Sequence, residues 1–175
     1  RVSMSLLAMA LEALEVPAIS LTGSQSGIIT TSEHTDAKIL EIRGHRIRAA
    51  LKKGQVVIVA GFQGVSRQKE VTTLGRGGSD TTAVALAAYL RAEHCEVLTD
   101  VEGIFSADPR IVPKAKRLPA LSFDLSIEFA RLGAKMHARS LELAKRFKVP
   151  LRIAASDSTG NEFTLINQVD LQEIE

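Results

Sequence analysis

Apolar residues recur along this chain in short blocks, and the blocks alternate between helical and extended patterns. VSMSLLAMALEAL (2–14) spaces them as an amphipathic helix does. VPAISL (16–21) reads as a short strand, and the turn-rich TGSQSGIITTS behind it holds a β-prone piece at 28–31. In DAKILEIRGHRIRAALKKG (36–54) a strand-like KILEI precedes a helix that closes at Gly54, with Lys52 and Lys53 in its last turn. QVVIVAGF (55–62) is apolar on both faces, a pattern that suits the middle of a parallel sheet. A glycine-rich turn and a long apolar helix follow, then CEVLTD (95–100) as another buried strand. Helices at about 122–132 and 137–148 precede the strand VPLRIAAS (149–156), and FTLI (163–166) fits a short edge strand. Strands alternating with helices predict an α/β fold: a three-layer α/β/α sandwich around a mainly parallel central sheet. One domain is expected over residues 1–168, with 169–175 as a tail or linker. In such sheets ligands sit beyond the carboxyl ends of strands. The polar loops 61–79, 99–110 and 156–162 each follow a strand, so they are candidates to line one crevice.

The stretch TTLGRGGSDTTAVALAAYL (72–90) carries the densest chemistry. Its right half reads as a buried helix, with Ser79 or Asp80 placed to cap the first turn. Its left half is Gly75, Arg76, Gly77, Gly78. Glycine permits positive φ and close approach to bare backbone, and a helix start offers unpaired N–H groups with a partial positive charge. With Arg76 added, the combination suits an anion. The competing reading is a tight strand-to-helix turn with a solvated arginine.

Composition narrows the alternatives. The chain is 45% hydrophobic and 24% charged, as ordinary globular domains are. A net charge of +2 and 4% aromatics argue against nucleic acid or an anionic membrane as partner. Cys95, inside the apolar HCEVL, is expected in the core, and no signal peptide or membrane-length apolar run is evident, so the cytoplasm is expected. A P-loop needs lysine before Ser/Thr at the end of its glycine loop, and GRGGSD has none. The dinucleotide fingerprint fails at its third glycine, where Asp80 stands. His34, His45, His94 and His137 are scattered and read as surface or capping residues, so no resident metal site is expected.

TLGRGGSD, with LTDVEGIFSADPR behind it, resembles the catalytic domain of the aspartate kinases, in the amino-acid kinase fold. RVSMSLLAMALEAL, LTGSQSGIIT, VVIVAGFQGV, TDVEGIFSADPRIVPKAKRL, LGAK and VPLRI read like the same family in the same order. Glutamate 5-kinase, acetylglutamate kinase, carbamate kinase and uridylate kinase share the fold and a segment like TDVEGI, but not GRGGSDTTA, which selects aspartate as acceptor.

The resemblance implies transfer of the ATP γ-phosphoryl group to the β-carboxylate of L-aspartate, the first step toward lysine, threonine and methionine. It implies ATP as cofactor, with Mg2+ carried by the nucleotide. Arg76, Gly77, Gly78 and Ser79 would contact aspartate, and Asp80 would take the substrate ammonium or orient its neighbours. Thr99 and Asp100 match the nucleotide-binding pair. Phe105, Ser106, Ala107, Asp108, Pro109 and Arg110 match the adenine and phosphate loop, and Lys135 with Met136 would add a further nucleotide contact. The chain departs from the pattern at Phe105, where tyrosine is usual, and the spacing after Lys135 is one residue short. By the resemblance, an opening Lys-x-Gly-Gly strand-loop and a substrate-binding glutamate belong ahead of Arg1, and regulatory ACT domains belong after the last residues. These residues alone are therefore expected to phosphorylate aspartate slowly or not at all. A homodimer, or pairing with a regulatory chain, is expected. Two alternatives remain: a non-catalytic nucleotide-binding or assembly fragment, and a kinase of this fold with another carboxylate acceptor.

Overall fold

Short β-branched runs and helices alternate much as the apolar pattern requires. The computed structural model describes residues 2–133, 136–157 and 162–168, and the chain divides into two compact units, residues 1–82 and 83–175.

The first unit holds α1 (Val2–Ala13), β1 (Ala18–Leu21), β2 (Ile28–Thr30), β3 (Ile39–Ile42), α2 (His45–Lys52), β4 (Val56–Val59), β5 (Gln63–Ser66) and β6 (Val71–Thr73). β1 and β4 pair in parallel from Ala18–Val56 to Leu21–Val59. Among the described residues β4 has no second partner strand, so its place in the middle of a sheet does not hold there. A separate four-stranded sheet runs in the order β3-β2-β5-β6, with β2 and β5 parallel. Three-residue β6 and glycine-bearing β5 carry no apolar run; the sheet accepts them because their polar side chains are paired. Thr30 and Thr72, both buried, hydrogen-bond hydroxyl to hydroxyl at 2.5 Å. α1 also departs from expectation: it is apolar all round, not amphipathic. It packs on β1 and β4, with Met4, Ala8 and Leu11 half-buried, while Val2 is 74% and Met9 66% exposed. Its end is tied down by Glu12, whose Oε1 accepts the Ala18 N–H at 2.8 Å.

α3 (Gly78–Leu90) begins in the first unit and ends in the second. There follow β7 (Cys95–Thr99), β8 (Ala120–Ser122), α4 (Phe123–Arg131), α5 (Ala138–Phe147), β9 (Leu151–Ala155) and β10 (Phe163–Asn167). Their sheet order is β7-β9-β10-β8, with β7–β9 and β10–β8 parallel and β9–β10 antiparallel. β10 is thus an interior strand, not an edge, and its buried Thr164 and Ile166 account for that. The core gathers Val84, Phe123, Leu141, Leu151, Ile153 and Ile166, and Cys95 lies in it as expected. Ser122 caps α4 by accepting the Leu125 N–H at 3.2 Å, and His137 caps α5 through its ring nitrogen. The α/β class with parallel-rich sheets is as the pattern predicted. No helix among the described residues is long and apolar enough to cross a membrane.

Ile166 is 0% exposed and Ile111 78% exposed. Ile166→Ala should lower unfolding free energy by about 2–5 kcal/mol, whereas Ile111→Ala should stay within about 0.5 kcal/mol. Urea unfolding of both variants checks this; equal losses would remove Ile166 from the core.

Candidate functional site

In the first unit the glycine loop is built by close approach. Leu74 is buried and donates its N–H to the Phe62 carbonyl at 2.9 Å. Gly75 and Gly77 then adopt φ of +76° and +67°, a region that side chains resist. A Cβ on Gly75 would also stand 2.9 Å from the Thr35 carbonyl oxygen. α3 starts at Gly78, so Ser79 and Asp80 lie inside its first turn and not at the residue before it. The Gly77 carbonyl receives both the Thr81 N–H and the Thr81 hydroxyl, each at 2.9 Å. Asp80 in that first turn complements the positive end of the helix. Residues 61–79 are not one polar loop, because β5 and β6 occupy much of that span. Thr82 locks the start of α3 in place: its hydroxyl donates to the Gly78 carbonyl at 2.7 Å and accepts the Phe62 N–H at 3.1 Å. Gly61 lies so near this turn that a Cβ there would approach Ser79 Cα to 3.3 Å. Arg76 and Ser79 are exposed. Among the described residues the Arg76 guanidinium has no hydrogen-bond or ion-pair partner.

In the second unit β7 ends at Thr99, whose hydroxyl donates to Asp100 Oδ1 at 3.0 Å. Beyond it opens a cavity of about 690 Å3, within the usual range for small-molecule sites. Asp100 and the run Phe105, Ser106, Ala107, Asp108, Pro109 and Arg110 line it. Val101, Gly103 and Ile104 complete that wall, and Phe129, Leu132 and Gly133 add a second wall from the end of α4. The loop doubles back on itself. Leu118 donates to the Ile104 carbonyl at 2.8 Å, Ser106 donates its N–H to Lys116 at 2.9 Å, and the Ser106 hydroxyl accepts the Lys116 N–H at 3.1 Å. Thr99 is not among the lining residues. Neither is Met136, expected at the nucleotide, which is buried in the core. Its apolar thioether chain fills interior space where a nucleotide contact was expected. Lys135, residues 158–161 of the third polar loop and the expected tail 169–175 lie outside the described residues. Leu132, 87% exposed beside Gly133 with φ +99°, carries the signal that marks the second wall: a bare leucine next to a turn glycine.

Arg110 and Asp108 form a fork. The guanidinium reaches the two carboxylate oxygens at 2.9 and 3.1 Å, and the Arg110 backbone N–H adds a contact of 2.9 Å to Oδ1. The side-chain hydrogen bond from Arg110 holds the Asp108 carboxyl below its ordinary range, and the same bond raises Arg110. Among the described residues no group of three or more His, Cys, Asp or Glu is arranged to hold a metal ion.

Parallel-rich α/β units with a glycine loop after one strand and a cavity after another place loops beyond strand ends, where α/β proteins as a class take their ligands. Residues 1–155 match the amino acid kinase family, and the chain belongs to it. It is 56% identical over 160 residues to an aspartokinase of Mycolicibacterium smegmatis, a match over 90% of this chain and 38% of that protein. The crystal structure of aspartate kinase from Synechocystis superposes with a TM-score of 0.80 at 47% identity, over 98% of this chain and 28% of that one. E. coli aspartokinase III in complex with aspartate and ADP gives a TM-score of 0.87 at 32% identity, over 97% and 39%. The chain thus spans roughly two fifths of the length of the curated relatives it matches, 38% in the first case.

A carboxyl held down by hydrogen bonds loses its proton below the usual aspartate midpoint of about 3.9. The Asp108–Arg110 fork should therefore persist across neutral and mildly acidic pH and open only as pH falls through that lowered midpoint. An NMR titration of the Asp108 carboxyl carbon checks this; a midpoint at or above the ordinary value contradicts the fork.

Proposed function

We propose that this chain belongs to the catalytic domain of an aspartate kinase, which transfers the ATP γ-phosphoryl group to the β-carboxylate of L-aspartate. The observation that carries the reading is the open Arg76 guanidinium at the start of α3, in a chain so similar to the aspartokinases. The reaction needs no strong base, because the nucleophilic carboxylate is already ionised near pH 7. A β-carboxylate oxygen attacks the γ-phosphorus, the bond to the β-phosphate oxygen breaks, and ADP leaves with that electron pair. What such a transfer demands is alignment and neutralisation of crowded negative charge. Arg76 grips a substrate carboxylate with its planar fork, while Gly77, Gly78 and Ser79 offer backbone and hydroxyl donors. Asp80 takes the substrate ammonium or orients the turn.

On the nucleotide side, Asp100 and the loop Phe105–Arg110 receive ATP, Thr99 holds the Asp100 carboxylate, and Lys135 supplies a further nucleotide contact. Phe105 offers a ring to the adenine without the hydroxyl that tyrosine would bring. Mg2+ arrives with the nucleotide, and Asp100 offers an oxygen ligand of the kind that ion takes alongside phosphate. Exposed apolar side chains on α1 support a homodimer or a regulatory partner chain. The cytoplasm supplies both substrates.

Mg·ATP should bind this protein with an affinity that falls as salt rises. Arg110→Ala should weaken ATP more than aspartate in isothermal titration, and a folded sample that binds no ATP would overturn the nucleotide assignment. In the intact enzyme Arg76→Ala should raise the KM for aspartate and lower kcat/KM by roughly 2–4 kcal/mol, with ATP affinity little changed. Arg76→Lys should also be poor, because a point charge does not replace the guanidinium fork. Unchanged aspartate kinetics would return Arg76 to a solvated turn.

A further inference from the structure

The backbone ladder between β8 and β10 ends where Leu165 donates to the Pro119 carbonyl at 2.9 Å. Proline has no N–H to carry the pairing further. One step beyond, a side chain takes over. The Thr164 hydroxyl donates to the Leu118 carbonyl at 2.6 Å and accepts the Ile104 N–H at 2.9 Å. Leu118 and Ile104 are the two arms of the cavity loop at the point where they pair with each other. A single hydroxyl, 0% exposed, thus holds both arms of that loop to the central strand. Gly103 lies against it with φ +139°, and a Cβ there would come within 2.5 Å of Thr164 Oγ1. A second tie lies beside it, from Arg117 Nη1 to the Phe163 carbonyl at 2.5 Å. Gly103 and Ile104 both line the cavity, and Phe105–Arg110 follow directly along the same wall.

We infer that Thr164 is a positioning residue for nucleotide binding. It touches no ligand; it fixes the height and angle of the loop that does. The inference rests on the nucleotide reading of this cavity given above. Valine has nearly the shape of threonine but would leave the Ile104 N–H and the Leu118 carbonyl without partners in a dry place. The loop would then relax away from β10 to find water, carrying its cavity-lining residues with it. Serine keeps the hydroxyl and should keep the loop.

The test compares wild type, Thr164→Val, Thr164→Ser and Gly103→Ala in the intact enzyme that carries this chain. Thr164→Val is expected to raise the Kd and KM for Mg·ATP about tenfold, while Thr164→Ser stays within about threefold of wild type. The KM for aspartate should move less than about twofold in either, a split that a general loss of folding would not give. Amide exchange at Ile104 should speed up in Thr164→Val and not in Thr164→Ser. Should the valine variant fail to fold, Gly103→Ala displaces the same loop from the other side and is expected to show the same ATP-selective loss. Thr164→Val with wild-type ATP affinity, or with equal losses toward ATP and aspartate, would overturn the inference while leaving the nucleotide reading intact. A folded wild type that binds no Mg·ATP would overturn both.

Discussion

Two loops of this chain, the turn before α3 and the cavity loop, each hang on a buried threonine hydroxyl that donates and accepts at once. Thr82 receives the Phe62 N–H and gives its proton to the Gly78 carbonyl, joining the segment after β4 to the first turn of α3. Thr164 receives the Ile104 N–H and gives its proton to Leu118, joining the cavity loop to β10. The reason is an accounting one. Loops that leave a sheet carry backbone groups that no ladder satisfies, and burying such a group unpaired costs on the order of 1–3 kcal/mol. A hydroxyl settles one donor and one acceptor in the space of a methyl group. Valine, its shape-mate, settles neither. Thr30 and Thr72 show the same chemistry turned inward, each hydroxyl serving the other inside the sheet.

The two arginines of the candidate sites stand in opposite states. Arg76 is exposed and, among the described residues, unpaired, so its guanidinium keeps all its donors available. Arg110 is committed to Asp108 through both side-chain oxygens. The orientation of the Arg110 guanidinium is therefore set, and its charge is partly offset. The cost of ordering a long side chain is already met for Arg110, and for Arg76 it falls due on binding. Both groups are solvated, so their pull on an anion is screened by salt and depends on geometry more than on raw charge.

What was legible in the sequence follows from the same physics. Apolar runs marked β1, β4, β7 and β9, because Val, Ile and Leu in short runs suit extended backbone; of the four, β9 is largely buried. β5, β6 and β8 left no such trace: they are three or four residues long and rich in Gly, Ser and Thr. Their pairing comes from partners far along the chain, which periodicity does not report. β10 looked like an edge for the same reason, and only its neighbours β9 and β8 make it interior. α1 was misjudged because its apolar residues were counted and its missing polar face was not. In the site, the contiguous wall Phe105–Arg110 was readable as a motif. Phe129, Leu132 and Gly133 were not, since they reach the cavity from a helix end some twenty residues further on. Met136, expected with Lys135 at the nucleotide, lies buried in the core cluster.

Tight backbone contact limits how either loop can adapt. Gly103 has no room for a methyl group beside Thr164, and Gly78 none beside the Phe62 ring, where a Cβ would stand at 2.9 Å. Close-packed interiors shift between discrete arrangements more readily than they deform continuously. The turn before α3 therefore moves with the helix, and the cavity loop moves with β10, or they do not move at all. Phe163, whose carbonyl is held by Arg117 and whose ring lies under the Arg152 guanidinium, stands next to Thr164 on β10 and outside the cavity lining, so the packing around the Thr164 tie extends beyond the cavity itself.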